Sequence, residues 1–436
     1  MAANVTLSEL QIREEGVNSD RVRIYAEYKS HLSVLNVTLD FGTRSHKHIS
    51  VSTDQTTVTA ELDVGQCMFH LENVELLPLS CRGLQWQPYG ELQMTLQVKD
   101  EKQRLDYEDQ FGIACRKQED VCANIQTHQN KCFCACCGKK ILKDHSVFSR
   151  VLPLPSENWS DVAEFWFCHR HGDEEDHTPT VAPKPGDCLV GSLHVLLSRS
   201  HMKMNSVTCS DNSELIRCSR CGNVLGLTLE DDDVKPQKNG LTRASSDTKK
   251  ATPLCHLYLH AVAFQDQPAD GLTPSVWSAS SVEVFLCQLM LEQSRLYTSY
   301  RFLLQSNHVK QENTVKVLLW LIDQDLTLYM GEGHLTQPSH NVKVTGSRVA
   351  KVLYRSTVGK MDSSASSRCD TFLYRTWEKD NTVHGLTLPR PLILQLVSLL
   401  VSNTSLLPPS HRHLNGFHVS FLMKDRVEEK QLPMKT

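Results

Sequence analysis

Cys134-Ala-Cys136-Cys137-Gly138 and, far along the chain, Cys218-Ser-Arg-Cys221-Gly222 decide how this sequence is read. Each is a Cys-x-x-Cys-Gly knuckle, a tight turn that aims two thiolates at one point. Two knuckles supply four sulfurs, the ligand set of a tetrahedral structural zinc site. Cys134, Cys137, Cys218 and Cys221 are therefore the expected ligands. Cys132 and Cys136 crowd the first knuckle, and either could stand in for Cys134. The bland alternative, four unrelated thiols, must produce the same motif twice by chance. Cys137 and Cys218 stand 81 positions apart, several times the gap of a compact zinc ribbon. An insertion that long, pinned at both ends by one metal, is expected to present an element rather than serve as a linker.

The insertion opens with Val151-Leu-Pro-Leu-Pro-Ser-Glu-Asn-Trp159. Pro153 and Pro155 remove ladder donors, so this stretch cannot be a central strand. It is expected to run extended, stiffened in polyproline-like geometry. Trp159 then anchors either in its own core or on a partner. Ser156 or Ser160 can cap a short helix through Val162 and Phe165. Cys168 and His169 follow, a soft sulfur beside an imidazole, both zinc-binding groups. Three readings of Cys168 stay open: a ligand to a partner's metal, a thiol packed beside aromatics, or a fifth thiol near the structural zinc. His169, His171, Asp173, Asp176 and His177 read as a solvated loop.

With 436 residues the chain can hold two or three cored domains. Its net charge of −4 gives no global basic field for nucleic acid, so no direct nucleic-acid partner is expected. No apolar run reaches the roughly 20 residues of a membrane helix, so no membrane partner is expected either. Residues 1–11 carry neither a basic nor an apolar signal region, which points to the cytoplasm, with a possible nuclear pool. Sixteen cysteines without a secretion signal favour thiols and metal over disulfides.

The expected fold is α+β and largely β, in four stretches. Residues 1–115 alternate at the period of half-buried strands and suggest a β-sandwich-like region. Within them, residues 79–86 read as a core strand leaving a glycine turn, with Cys81 packed. Residues 116–229 form the zinc-knuckle region with its inserted arm, where residues 139–143 are expected as the outgoing strand of a zinc hairpin. Residues 230–252, acidic then lysine- and serine-rich, form a flexible linker. Residues 253–436 form an α+β region. There Val282, Phe285, Leu286, Leu289 and Met290 share one helical face, and residues 315–322 and 326–330 predict a hairpin around Asp323-Gln-Asp325. Pro389 or Pro391 opens a helix over 392–401.

Cys81-Arg-Gly-Leu-Gln85, residues 151–159, Cys168-His169, Lys351-Val-Leu-Tyr354 and Leu386-Thr-Leu-Pro389 together resemble the HECT-like ubiquitin-conjugating-enzyme-binding proteins. The resemblance implies a ubiquitin-protein ligase whose partner is a ubiquitin-conjugating enzyme. It also implies an independent inhibitory role: Pro153, Leu154, Pro155, Ser156, Glu157, Asn158, Trp159 and the segment through Cys168 and His169 would plug the zinc active site of the pre-mRNA 3′-end cleavage endonuclease, an enzyme of metallo-β-lactamase fold. In that role the metal-reaching thiol is Cys168. One departure stands out. A HECT ligase carries ubiquitin on a cysteine near its C-terminus, but here no cysteine follows Cys369. No catalytic residue can be named from the sequence, and a non-catalytic, zinc-stabilised adaptor or scaffold is the alternative reading.

Overall fold

The computed structural model describes residues 21–42, 49–62, 65–99, 110–154, 183–209, 214–229, 253–265, 281–306, 314–358 and 365–424. It is α+β and largely β, as expected. Pro155, Ser156, Glu157, Asn158, Trp159, Cys168 and His169, the helix expected after Ser156, the histidine-rich loop and the 230–252 linker lie outside the described residues.

The chain forms two compact units that follow tertiary contact rather than chain order. The first gathers Met1–Glu101, Leu321–Tyr354 and Leu400–Phe421. The alternating stretches near the start do form strands, at Arg21–Lys29, Ile49–Thr53, Thr57–Leu62 and Glu91–Val98. Arg21–Lys29 lies antiparallel to Val34–Asp40 on one side, and on the other to the far part of Val315–His334, with Lys29 opposite Leu326 and Arg21 opposite His334. A second sheet runs His340–Val344, Gly65–Leu71, Thr57–Leu62, Ile49–Thr53. Alternate residues of both sheets, among them Ile24, Leu35, Leu39, Phe69, Leu71, Leu96, Tyr329 and Val344, share one buried core, the sandwich logic of strand alternation.

Two expectations are corrected in this part of the chain. Val315–His334 is one strand of 20 residues, not a hairpin. Asp323-Gln-Asp325 lacks the glycine or asparagine that a tight turn with positive φ requires, and the Asp323 carboxylate simply accepts from the Asp325 N–H at 3.0 Å. Residues 79–86 are not core either. They belong to the edge strand Leu76–Gln87, where Cys81 is exposed and Leu79 fully so. The strand bulges between Leu77 and Arg82. There the Ser80 hydroxyl accepts from Gln97 N–H at 2.7 Å and donates to Leu77 O at 2.6 Å. A side chain thus completes the ladder and turns Leu79 and Cys81 outward.

The second unit comprises Lys102–Trp320, Arg355–Leu399 and Leu422–Thr436. Its largest sheet runs Val207–Cys209, Leu215–Cys218, Val224–Leu229, Leu254–Tyr258, His194–Ser198, Asp187–Val190, Arg150–Pro153. Cys132–Cys134 pairs separately with Val262–Phe264. Residues 139–143 are not a strand; Lys140 and Leu142 make only isolated bridges, to Phe133 and Met202. The helix Gln110–His128 is tied to the sheet through Gln118, whose amide donates to Leu154 O and Val190 O at 2.9 and 2.6 Å. Helix Val282–Tyr297 starts at the Ser281 cap and buries Phe285, Leu286, Leu289 and Met290. The proline-opened helix spans Arg390–Leu406. Among the described residues no helix is long and apolar enough to cross a membrane.

Candidate metal centre

The two knuckles are built alike. Cys134 ends the strand Cys132–Cys134; its N–H donates to Lys139 O at 2.8 Å, and Gly138 N–H returns to Cys134 O at 2.9 Å. Cys218 ends Leu215–Cys218 with the same two bonds, to Asn223 O and from Gly222 N–H, both 2.9 Å. Gly138 and Gly222 sit at φ +72° and +73°, where a Cβ would strain the backbone. These glycines therefore fix the turn that brings each pair of thiols round.

The structure brings Cys134, Cys137, Cys218 and Cys221 together, with all four sulfurs within 4.8 Å of one another. Cys134 Sγ lies 3.7 Å from Cys221 Sγ, and Cys137 Sγ lies 3.5 Å from Cys218 Sγ. Four sulfurs at about 2.3 Å from a tetrahedral ion stand about 3.8 Å apart, so the donor set fits one ion. Cys132 is buried outside the set; burial, with Cys188 nearby, pushes its thiol up. Cys136 is exposed and also stands outside the set.

Backbone donors and burial act in opposite directions on these thiols. Backbone N–H groups of Cys136 and Cys137 point at Cys134, that of Lys139 at Cys137, and that of Asn223 at Cys221. Burial raises the Cys134 thiol, and it pushes Cys137 up to about 11. Cys221, at the rim, is desolvated less than it is stabilised by Asn223 N–H and the neighbouring thiols, and falls to about 7. A divalent ion here would leave part of the charge of four thiolates, and two cations lie beside the cluster. Lys139 Nζ donates to Ser219 Oγ at 2.6 Å, and Arg220 donates to Cys137 O at 3.3 Å. Both bonds also tie one knuckle to the other.

Pro153 and Leu154 lie at the start of the insertion, on and just after the edge strand Arg150–Pro153. An edge is where a proline without a ladder donor is tolerated. Arg150 holds Asp187 through two bonds of 3.0 and 2.6 Å. Leu154 packs on Leu189, Leu196 and Leu254. The arm is thus fastened, as far as Leu154, to the unit that carries the four-cysteine cluster.

Two further clusters were not visible in the sequence. In the first unit the buried Glu27 accepts from Lys351 Nζ and Tyr25 OH, while His411 Nε2 lies 2.9 Å from Thr38 Oγ1. In the second, His194 and His256 rings lie 3.9 Å apart, and His260 packs 4.1 Å from Phe285. Each joins residues far apart in sequence or on adjoining strands, so no local motif marks it.

A profile of the family described as HECT-like ubiquitin-conjugating enzyme (E2)-binding matches residues 27–419. The chain belongs to that family, in keeping with the resemblance carried by its motifs. Among curated proteins, an E3 ubiquitin-protein ligase of Mus musculus is 27% identical over 93% of this chain and 99% of its own length. The Homo sapiens ligase of the same name is 27% identical over 80% of this chain and 84% of its own. An uncharacterised Saccharomyces cerevisiae protein is 26% identical over 30% of this chain and 38% of its own. No solved structure matches.

Proposed function

We propose that this chain is a ubiquitin-protein ligase that docks a ubiquitin-loaded conjugating enzyme and promotes transfer directly from it. The family match over residues 27–419, which takes in both compact units, is the observation that carries the reading. Direct transfer is the reading taken because the cysteine that a HECT ligase carries in its terminal lobe has no counterpart in this sequence. No cysteine follows Cys369, and Cys287 is buried with its thiol donating to Leu422 O at 3.6 Å. The test is discharge of a ubiquitin-loaded conjugating enzyme on non-reducing gels. Faster discharge with no reducible adduct on this chain supports the proposal. Unchanged discharge favours the adaptor reading, in which the chain scaffolds without catalysis.

The ion of the four-cysteine site is zinc in this reading, because four thiolates in a closed tetrahedron are the structural-zinc set. It holds ligands from distant parts of the chain, so binding doubles as folding energy for the second unit. An independent inhibitory role belongs to the insertion: the stretch from Pro153, starting at a sheet edge, carries Trp159 to a partner surface and Cys168 to the zinc of the pre-mRNA 3′-end endonuclease. Occupying that enzyme's open coordination position would block it without chemistry here. Cys168→Ser should abolish inhibition while leaving this chain's own metal, and Trp159→Ala should weaken binding. Inhibition untouched by Cys168→Ser refutes that role. Both activities imply the cytoplasm with a nuclear pool, checked by imaging a fluorescent fusion.

A further inference from the structure

We infer that Ser146 and His201 form a nucleophile–base pair in the wall of a small hollow, where short acyl esters are cleaved. The hollow holds about 250 Å³ and is lined by Lys143, His145, Ser146, Val147, Ser200 and His201. That is below the size of a drug-like ligand site, so it suits a short acyl group. Ser146 Oγ lies 2.6 Å from His201 Nδ1, and His201 Nε2 lies 2.6 Å from Pro185 O. A carbonyl oxygen only accepts, so Nε2 carries the proton and donates. In the neutral ring Nδ1 is then the acceptor, and the Ser146 hydroxyl donates to it. A base that already holds the nucleophile's proton, and is itself oriented by a third group, is the arrangement that activates a serine. The Phe148 ring, 4.8 Å from that of His201, packs beside the imidazole.

The wall beside the pair is cationic. The acidic neighbour Asp144 is taken up by Lys140 at 2.7 Å and Lys203 at 3.4 Å, while Lys143 lines the hollow with no ion pair among the described residues. Its ammonium supplies charge against the oxyanion of a tetrahedral intermediate. Ser146 Oγ attacks the ester carbonyl carbon while its proton passes to His201 Nδ1 and the carbonyl electron pair moves onto oxygen. When that pair returns, the ester C–O bond breaks and the alcohol leaves with the Nδ1 proton. Water then gives a proton to Nδ1, its oxygen bonds to the acyl carbon, and the bond to Ser146 Oγ breaks. The serine oxygen recovers the proton and the acid is released. Ester and water become acid and alcohol, with no oxidant or reductant consumed. A peptide carbonyl orients this imidazole where a carboxylate does so in the Ser-His-Asp triad, so only a partial charge holds the imidazolium and turnover is slow.

The test treats full-length protein with a fluorophosphonate, which phosphonylates activated serines, and maps the labelled peptide by mass spectrometry. In parallel, p-nitrophenyl acetate reads acylation and turnover. Wild type should be labelled at Ser146 and release about one p-nitrophenolate per chain in a burst, followed by slow turnover. Ser146→Ala should lose both the label and the burst. His201→Gln, whose amide can still donate to Pro185 O but cannot take a proton, should slow labelling at least roughly hundredfold. Wild type that takes no label, or takes it on another residue, overturns the inference and leaves the pair a structural hydrogen bond; that result needs no variant to fold. An unchanged burst or labelling rate in either folded variant overturns it as well.

Discussion

Replacing His260 with phenylalanine should flatten the acid side of the stability curve. His260 is buried, its Nδ1 has no hydrogen-bond partner, and its ring packs 4.1 Å from Phe285 and 5.7 Å from Tyr258. Burial of the cation lowers its pKa from 6.5 to about 4. Between those values the unfolded chain holds a proton that the folded chain refuses, so stability falls as pH falls and is complete only above 6.5. A tenfold loss of proton affinity is worth about 1.4 kcal/mol, so His260 costs the wild type about 3 kcal/mol by pH 4. His256, buried at the His194 ring, shifts the same way by desolvation and that neighbour, and it remains in the variant. Phenylalanine keeps the aromatic packing and cannot take the proton. Urea unfolding at pH 7 and at several values down to pH 4 reads the difference, and acid loss of any metal bound at the cysteine cluster, common to both proteins, cancels. Parallel curves for the two proteins would refute the argument.

Three further outcomes follow from the same geometry. Lys351→Met leaves the Glu27 carboxylate buried without its cation and should cost about 3–5 kcal/mol in denaturant unfolding. Gly226→Ala would set a Cβ 1.9 Å from His256 O inside the sheet that carries Cys218, so thermal unfolding should show a loss of at least about 2 kcal/mol. Leu79→Ser, at a fully exposed bulge, should leave stability within about 0.5 kcal/mol of wild type by the same assay.

The knuckles were legible because their information is local: a Cys-x-x-Cys-Gly pentapeptide dictates its own turn, and two of them imply a shared point. Helix Val282–Tyr297 was legible from its 3.6-residue period, and the first strands from their alternation. Errors came where tertiary pairing decides. Nothing near Asp323 reveals that residues on either side pair with different strands, Arg301–Ser306 before it and Arg21–Lys29 after it. The bulge at Ser80 depends on Gln97, and the Glu27–Lys351 pair spans 324 positions. Helix Ala365–Glu378 went unread because Ser-Ser-Arg-Cys-Asp-Thr is a poor helix-forming opening. The prolines at 153 and 155 correctly exclude a central strand, yet only the sheet order makes Arg150–Pro153 its edge.

X-ray absorption at the metal edge of the purified full-length protein addresses the central claim, that two chain-distant knuckles close on one zinc. Zinc at about one per chain, with four sulfur scatterers at about 2.3 Å and no nitrogen or oxygen, is the predicted result. A folded protein without zinc, or a zinc shell containing nitrogen, oxygen or fewer than four sulfurs, would contradict it.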